Sequence, residues 1–306
     1  MNWFQEVFGF TESEQAVRDN IEVDGERLYS RANGRRFNHG RLSTPTLAEL
    51  REQADAASLP GKLTVQEIVA DVRTLHREPE NTGALFQVAS QFNLLEMISP
   101  RATPSDGITR YFADHTQGPA CAMACAAGTL YRNWFAQTTN NQIDCLADLE
   151  REINAGEQLW SMENGYALLS GLAFNAAETS PIIRIGIHAN TEVTDATAPH
   201  CVTQAYCSAL PISYSGVSDR DVEPLARMVL NSAYEATFAA AIINACSAGG
   251  SRKLFLTLLG GGAFGNPIEW IIDAIERSIR LYKSTALDVA IVSYGSNEPA
   301  VDRLLR

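Results

Sequence analysis

Positive charge is in short supply in this chain. Its 306 residues include 24 Lys and Arg against 36 Asp and Glu, a formal net charge of −12, and its pI is near 4.9. A field of that sign repels polyanions at long range, which argues against a general nucleic-acid binder or a protein that docks on anionic membranes. A phosphate bound by such a chain must be held by local geometry. Long apolar runs are also missing. The most apolar helical stretch, Thr237 to Ala248, is interrupted by Asn244 and is too short to span a bilayer. The opening residues, Met1 to Phe8, show no basic segment followed by an extended apolar core, so no secretory signal is expected.

Metal and disulfide patterns are absent as well. The six cysteines, Cys121, Cys125, Cys145, Cys201, Cys207 and Cys246, fit no zinc-ligand spacing and no dense disulfide framework, so reduced thiols in a cytosolic compartment are expected. His39, His76, His115, His188 and His200 likewise show no metal spacing, and no cofactor is expected. His188, on an apolar strand, reads as a satisfied core residue, and Cys121 and Cys125, one helical turn apart, as buried small residues. There is no internal repeat and no low-complexity tract.

With 45% hydrophobic residues the chain can bury a large core as one domain or as one domain with an extension. Residues 1 to about 42 are polar and weakly periodic, which predicts an irregular segment. Two helices are expected next, one from Leu47 and one opened by the capping-box pattern Thr64 to Glu67 and running to about His76. The division expected is therefore an extension over 1–80, irregular and then helical, and a main domain over 81–306. In the main domain strands are expected at 84–90, 182–188, 202–213, 253–259 and 287–293, and helices at 119–136, 145–154, 222–247 and 267–283. Strands 182–188 and 202–213 follow one another without a helix, so a mixed sheet in a three-layer α/β/α arrangement is the fold class expected.

The most informative stretch runs from Leu254 to Trp270, where an apolar strand enters a glycine-rich turn, Gly260-Gly261-Gly262-Ala263-Phe264-Gly265, and then a helix. Glycines allow successive N–H groups to turn toward one centre, and the positive end of a following helix adds to their pull on an anion. No Lys or Arg lies in the turn, and the Walker ending is missing. The helix start carries three signals: Asn266 as N-cap, Pro267 at the first position and Glu269 to close a capping box. A second such start occurs at Gln117-Gly118-Pro119, which opens a helix made almost wholly of small residues. Most of Ala120 to Ala127 serves tight packing, leaving Gln117 and Gly118 as the positions that can face a ligand.

Gly261 to Pro267 resembles the diphosphate loop of macrodomains and poly(ADP-ribose) glycohydrolase-like proteins. Phe86 to Glu96 looks like the strand and loop that precede the macrodomain catalytic loop, and Thr116 to Ala122 like a shortened form of that family's glycine-rich segment. Taken over about residues 75–295, the chain most resembles divergent macrodomains of the MavL type, bacterial effector hydrolases that remove ADP-ribose from ubiquitin. Its first loop departs from the ordinary pattern by lacking the glycine run. The resemblance implies ADP-ribose across the carboxyl ends of the strands, with its diphosphate between the amides of Gly261 to Gly265 and those near Gln117 and Gly118. It implies a distal-ribose contact for Asn93, whose other reading is an Asx turn. Phe264 either packs on ribose or adenine or plugs the core. Asp144 either contacts adenine or caps a helix, and Glu269 either meets a ribose hydroxyl or caps.

Cleavage of a glycosidic bond at an anomeric carbon needs a group that stabilises oxocarbenium charge and one that activates water. Asp106 and Asp114, on the loop before the small-residue helix, are the catalytic candidates. Against this, Asp106-Gly107 is a turn signal and Asp114 suits a cap. The function implied is an ADP-ribosyl glycohydrolase acting on modified protein, with arginine-linked ADP-ribose on ubiquitin as its narrowest form. It would work in the cytosol, or in a host cytosol if the protein is an effector. The alternatives are a non-catalytic ADP-ribose reader and a hydrolase of a small ADP-ribose derivative. The partners expected are ADP-ribose or an ADP-ribosylated protein.

Overall fold

The computed structural model describes residues 2–153, 159–170 and 176–305. In chain order it contains α1 (Trp3–Phe8), α2 (Glu14–Asn20), β1 (Ile21–Asp24), β2 (Arg27–Ser30), β3 (Arg36–Asn38), β4 (Arg41–Ser43), α3 (Leu47–Ala57), β5 (Thr64–Val69), α4 (Val72–Arg77) and β6 (Leu85–Ala89). There follow α5 (Gln117–Ala124), α6 (Ala126–Trp134), α7 (Ala147–Ile153), the hairpin β7 (Trp160–Glu163) and β8 (Tyr166–Leu169), β9 (Gly186–Glu192), β10 (Cys201–Cys207), α8 (Asp219–Cys246), β11 (Lys253–Leu256), α9 (Ile268–Leu281) and β12 (Asp288–Ser293). The last residue of the helix expected at 145–154 lies outside the described residues.

A seven-stranded sheet in the order β4-β9-β10-β6-β11-β12-β5 forms the centre. Strands β10, β6, β11, β12 and β5 are parallel, while β9 runs antiparallel to both β10 and β4. The sheet is therefore mixed, as the missing crossover helix before β10 predicts. Alternation along β6 sends side chains to its two faces. Phe86 stacks on His76 of α4 at 3.7 Å and on Phe255 at 4.4 Å. Its neighbour Gln87 donates to Thr237 Oγ1 of α8 at 3.0 Å. Helices α3, α8 and α9 thus cover one face, and α4, α5 and α6 the other. The result is three layers, α/β/α.

Four local expectations are corrected. Residues 64–69 form an edge strand rather than a helix, because β-branched Thr64, Val65, Ile68 and Val69 pair with β12. Glu67, read as half of a capping box, instead accepts from Ser293 Oγ at 2.6 Å and Glu298 N at 2.7 Å. The helix that follows is capped by Asp71, which accepts from Arg73 N at 2.8 Å.

The N-terminal segment is not irregular: α1 is closed by a true capping box from Asn2 and Gln5, and β1, β2 and β3 form their own antiparallel sheet. Strands β4 and β5, both from before residue 81, form the two edges of the central sheet.

The single helix expected at 119–136 breaks at Cys125. Thr194 inserts there, its N–H donating to Ala124 O at 2.8 Å and its Oγ1 accepting from Ala126 N at 3.0 Å. A side chain thus replaces helical bonds, a recognised cause of a helix break.

The capping box expected at Asn266 does not form. Helix α9 has no side-chain cap, and Asn266 Nδ2 donates to Leu210 O at 2.9 Å. The side chain ties the glycine loop to the segment after β10 instead.

Two apolar clusters hold the layers. The larger one fills both faces of the central sheet. The smaller joins Phe4, Phe8, Phe37 and Leu28 from the N-terminal elements to Leu95, Met97, Tyr111, Leu130 and Trp134. The N-terminal elements therefore pack against the segment between β6 and α5. Among the described residues, no helix is long and apolar enough to cross a membrane.

Candidate functional site

A cavity of about 380 Å³ opens beyond the carboxyl ends of β6, β10 and β11, the end of a parallel sheet where strand termini and helix N-termini leave a crevice. One wall is the glycine loop, through Gly260, Gly262, Ala263 and Phe264. The facing wall is the start of α5, with Gln117 and Gly118, together with Asp114 on the segment before it. The 90–98 segment closes the floor, and Tyr166, Tyr214 and Tyr294 add an aromatic side.

The loop has the shape the sequence predicts. Gly260 and Gly265 lie in the left-handed region at φ 79° and 74°. A Cβ at Gly265 would stand 2.0 Å from Ser213 Oγ. Bonds from Gly261 N to Leu258 O, Gly265 N to Gly262 O and Asn266 N to Gly260 O close the turn. Among the described residues, the amides of Gly262, Ala263 and Phe264 make no protein hydrogen bond. Three successive free N–H groups at a cavity wall are an arrangement that can hold an anion without a cation. Across the cavity, the Gln117 and Gly118 amides lie in the uncapped first turn of α5, and the buried Gln117 Nε2 has no partner.

Asp114 is the half-buried acid of this cavity. Its Oδ1 accepts from Thr116 N at 2.8 Å. It therefore shapes the turn ahead of α5, where Thr116 is the N-cap, and the residue itself lines the cavity. Asp106 is placed differently. It is exposed, it does not line the cavity, and its Oδ2 accepts from Thr103 N at 2.8 Å and Thr103 Oγ1 at 3.1 Å, in a capping box of its own. Phe264 lines the cavity and packs, half-buried, on the core and on Tyr166 and Tyr214, with ring centroids 5.5 and 6.0 Å away.

Several candidates lie off the cavity wall. Asn93 is fully buried; its Oδ1 accepts from Leu95 N at 3.1 Å and its Nδ2 donates to Gln142 at 2.8 Å. Asp144 accepts from Leu146 N at 2.8 Å ahead of α7, and burial raises its pKa. Gly261, Gly265 and Asn266 shape the loop from behind. Glu269 is exposed in the first turn of α9. Cys121 and Cys125 are buried, and burial pushes their thiols well above the ordinary range, which keeps them inert.

Two residues that were not site candidates stand at and behind the floor. Glu96 is 3% exposed and lines the cavity, and neither of its carboxyl oxygens has a hydrogen-bond partner. Its one signal in the sequence is a carboxylate inside the apolar run Leu94 to Ile98. Behind it lies Arg132, fully buried, whose guanidinium bonds Leu94 O at 3.1 Å and Thr129 Oγ1 at 3.2 Å and faces His188 Nδ1 at 3.2 Å. The same group sits 3.7 Å from the centroid of the Tyr206 ring. His188 is thus a core residue, but its Nε2 is unpartnered, and burial with the Arg132 charge holds it well below its usual pKa and neutral.

No protein-family model and no curated protein matches this chain. Among solved structures, it is similar to poly(ADP-ribose) glycohydrolase from Deinococcus radiodurans in complex with ADP-ribose, at 11% identity over 87% of this chain and 95% of that one, with a TM-score of 0.48. It is also similar to the Thermomonospora curvata enzyme, at 14% identity over 94% and 95% of the two chains with a TM-score of 0.47. The form of that enzyme bound to the inhibitor ADP-HPD gives 13% identity over 95% of each chain and a TM-score of 0.46.

Proposed function

We propose that this cavity binds ADP-ribose and that the protein is an ADP-ribosyl glycohydrolase. The observation that carries the reading is the placement of the free amides of Gly262, Ala263 and Phe264 on the same cavity as Asp114. The amides suit a diphosphate, which a chain of net charge −12 must hold by backbone dipoles. The tyrosines and Phe264 suit the adenine and ribose faces. Asp114 would then face the anomeric carbon, where a carboxylate stabilises oxocarbenium charge and orients the attacking water.

The acceptor is a protein side chain in this proposal, and an arginine of ubiquitin is its narrowest form. The motif resemblance supports that form, and Asp114 supplies a carboxylate able to hold a guanidinium. A cytosolic setting, of the producing cell or of a host, belongs to the same proposal and rests on six unpaired cysteines.

The test is a panel of arginine-, serine- and glutamate-linked ADP-ribose conjugates, including modified ubiquitin, assayed for released ADP-ribose alongside calorimetry with ADP-ribose. Release from any conjugate supports the hydrolase. Binding without release from any of them leaves a reader, and no binding at all removes the site.

A further inference from the structure

We infer that Glu67 is a positioning residue of this site: its carboxylate clasps the turn after β12 and so fixes Tyr294 on the cavity as a binding face for the ligand. The inference rests on the ADP-ribose reading of the cavity.

The three tyrosines of the aromatic side are held differently. Tyr166 and Tyr214 are held by packing: their ring centroids lie 5.3 Å apart, both rings pack on Phe264, and the Tyr166 hydroxyl donates to Met97 O at 2.6 Å. Tyr294 lines the same cavity but is 66% exposed. Among the described residues its ring joins no aromatic pair and its hydroxyl makes no hydrogen bond. An exposed ring alone means little, but one placed on a ligand cavity offers an apolar face to whatever enters.

Such a ring binds well only when its backbone is held, and the core does not hold this one. Tyr294, Gly295, Ser296 and Asn297 are successive exposed residues. Gly295 turns the chain at φ 78°, and a Cβ there would meet nothing within 4 Å. The support comes from the neighbouring strand. β5 pairs with β12 to its last residue, with Val69 opposite Ser293, and this brings Glu67 to the turn. Its Oε1 accepts from Ser293 Oγ at 2.6 Å and from Glu298 N at 2.7 Å, and its Oε2 from Asn297 Nδ2 at 2.5 Å. One carboxylate thus ties the residue before Tyr294 to the two residues that end the turn, through bonds of the strong, charge-assisted kind. Strand β12 runs parallel to β11 and beside it, so the turn leaves the sheet at the same end as the glycine loop. Glu67 itself does not line the cavity. It acts through Tyr294, which on the ADP-ribose reading meets the base or a ribose next to the diphosphate.

The experiment is a double-mutant cycle on ADP-ribose affinity, measured by calorimetry with wild type, Glu67→Ala, Tyr294→Ala and the double variant. Tyr294→Ala should weaken binding about tenfold and Glu67→Ala about fivefold. The double variant should bind no more weakly than Tyr294→Ala alone, because losing the clasp has no effect once the ring it fixes is gone. Glu67→Gln keeps an acceptor oxygen for Ser293 and Glu298 and should stay within about twofold of wild type. On the conjugate cleaved best in the linkage panel, the Glu67→Ala loss should appear in KM, with kcat within about twofold, since the ring binds ground state and transition state alike. Losses that add in the double variant would overturn the assignment and make Glu67 a general support of the sheet edge. A lower melting temperature with unchanged affinity would overturn it too, as would wild-type affinity in Tyr294→Ala. If Glu67→Ala does not fold, Asn297→Ala takes its place in the cycle, with binding about threefold weaker and again no effect in the Tyr294→Ala background. If wild type binds no ADP-ribose, the reading of the cavity falls and this inference with it; if wild type binds and Glu67→Ala matches it, the inference falls alone.

Discussion

The two walls of the cavity are built on opposite plans. The glycine loop is held mostly from within, by backbone bonds that begin and end between Leu258 and Asn266, with two ties to the segment after β10, from Asn266 Nδ2 to Leu210 O and from Ser213 N to Phe264 O. The acidic wall is held from far away. Glu12 accepts from Ile108 N at 2.9 Å, Thr109 N at 2.6 Å and Trp134 Nε1 at 2.8 Å, and Trp3 Nε1 donates to Thr109 O at 2.9 Å. The segment that carries Asp106 and Asp114 is thus clamped by residues about 100 positions earlier. On the proposed function, ligand seating and chemistry should fail separately: the first through local backbone geometry, the second through the N-terminal elements.

The largest effect expected is on the seat. A Cβ at Gly262 meets nothing within 4 Å, so Gly262→Glu folds, yet it places a carboxylate where the diphosphate would lie. Affinity for ADP-ribose should fall about 100-fold or more, about 3 kcal/mol, with an unchanged melting temperature. Unchanged affinity by calorimetry would remove the anion seat. Next comes Asp114→Asn on the opposite wall. Turnover should fall about 100- to 10,000-fold, while the dissociation constant for ADP-ribose stays the same or decreases as a negative charge leaves the cavity. Loss of binding together with turnover would instead merge the two walls into one functional unit.

The same contrast explains what could be read from the sequence. The glycine turn was legible because its cause is local: Gly260 and Gly265 provide the turn, with the strand a few residues before it and the helix a few residues after. The long α8 was legible from its apolar face and the glycines after it. Strand β5 was not, because Thr64 and Glu67 present a sound capping pattern, and only pairing with β12 reveals Glu67 as a tie to the end of that strand. The break at Cys125 depends on Thr194, about 70 residues later. Glu96 and Arg132 were invisible for the same reason, since the burial of a charged side chain is a property of packing and has no motif. The cap attributed to Asn266 was lost to a tertiary hydrogen bond, although every local signal for it was present.

The distant clamp makes a third, smaller prediction. Glu12→Ala leaves the Ile108 and Thr109 amides and the Trp134 indole without their acceptor. Bonds to a charged group are worth about 1.5–3 kcal/mol each, but here they share one carboxylate and part of the loss is made good by water. A stability cost of about 2–4 kcal/mol is expected in chemical denaturation. Turnover should drop about tenfold through displacement of Asp114, with the dissociation constant for ADP-ribose changed by less than about threefold. A variant that loses affinity as readily as turnover would show that the N-terminal elements support the seat as well.

The smallest effect should come from Asp106, and it sharpens the comparison inside the acidic wall itself. Asp106 and Asp114 share a loop and a chemistry, but Asp106 spends its Oδ2 on the Thr103 amide and hydroxyl and stays outside the cavity. In Asp106→Asn the amide oxygen can still accept from Thr103 N, so the cap survives in weaker form, at a cost of about 0.5–1 kcal/mol. Turnover should stay within about threefold of wild type, in contrast to the loss at Asp114. If single-turnover assays show the two variants equally impaired, the 103–114 segment must bring Asp106 over the cavity when substrate binds. The acidic wall would then be a closing element rather than a fixed one, since a carboxylate acts on an anomeric centre only from contact distance.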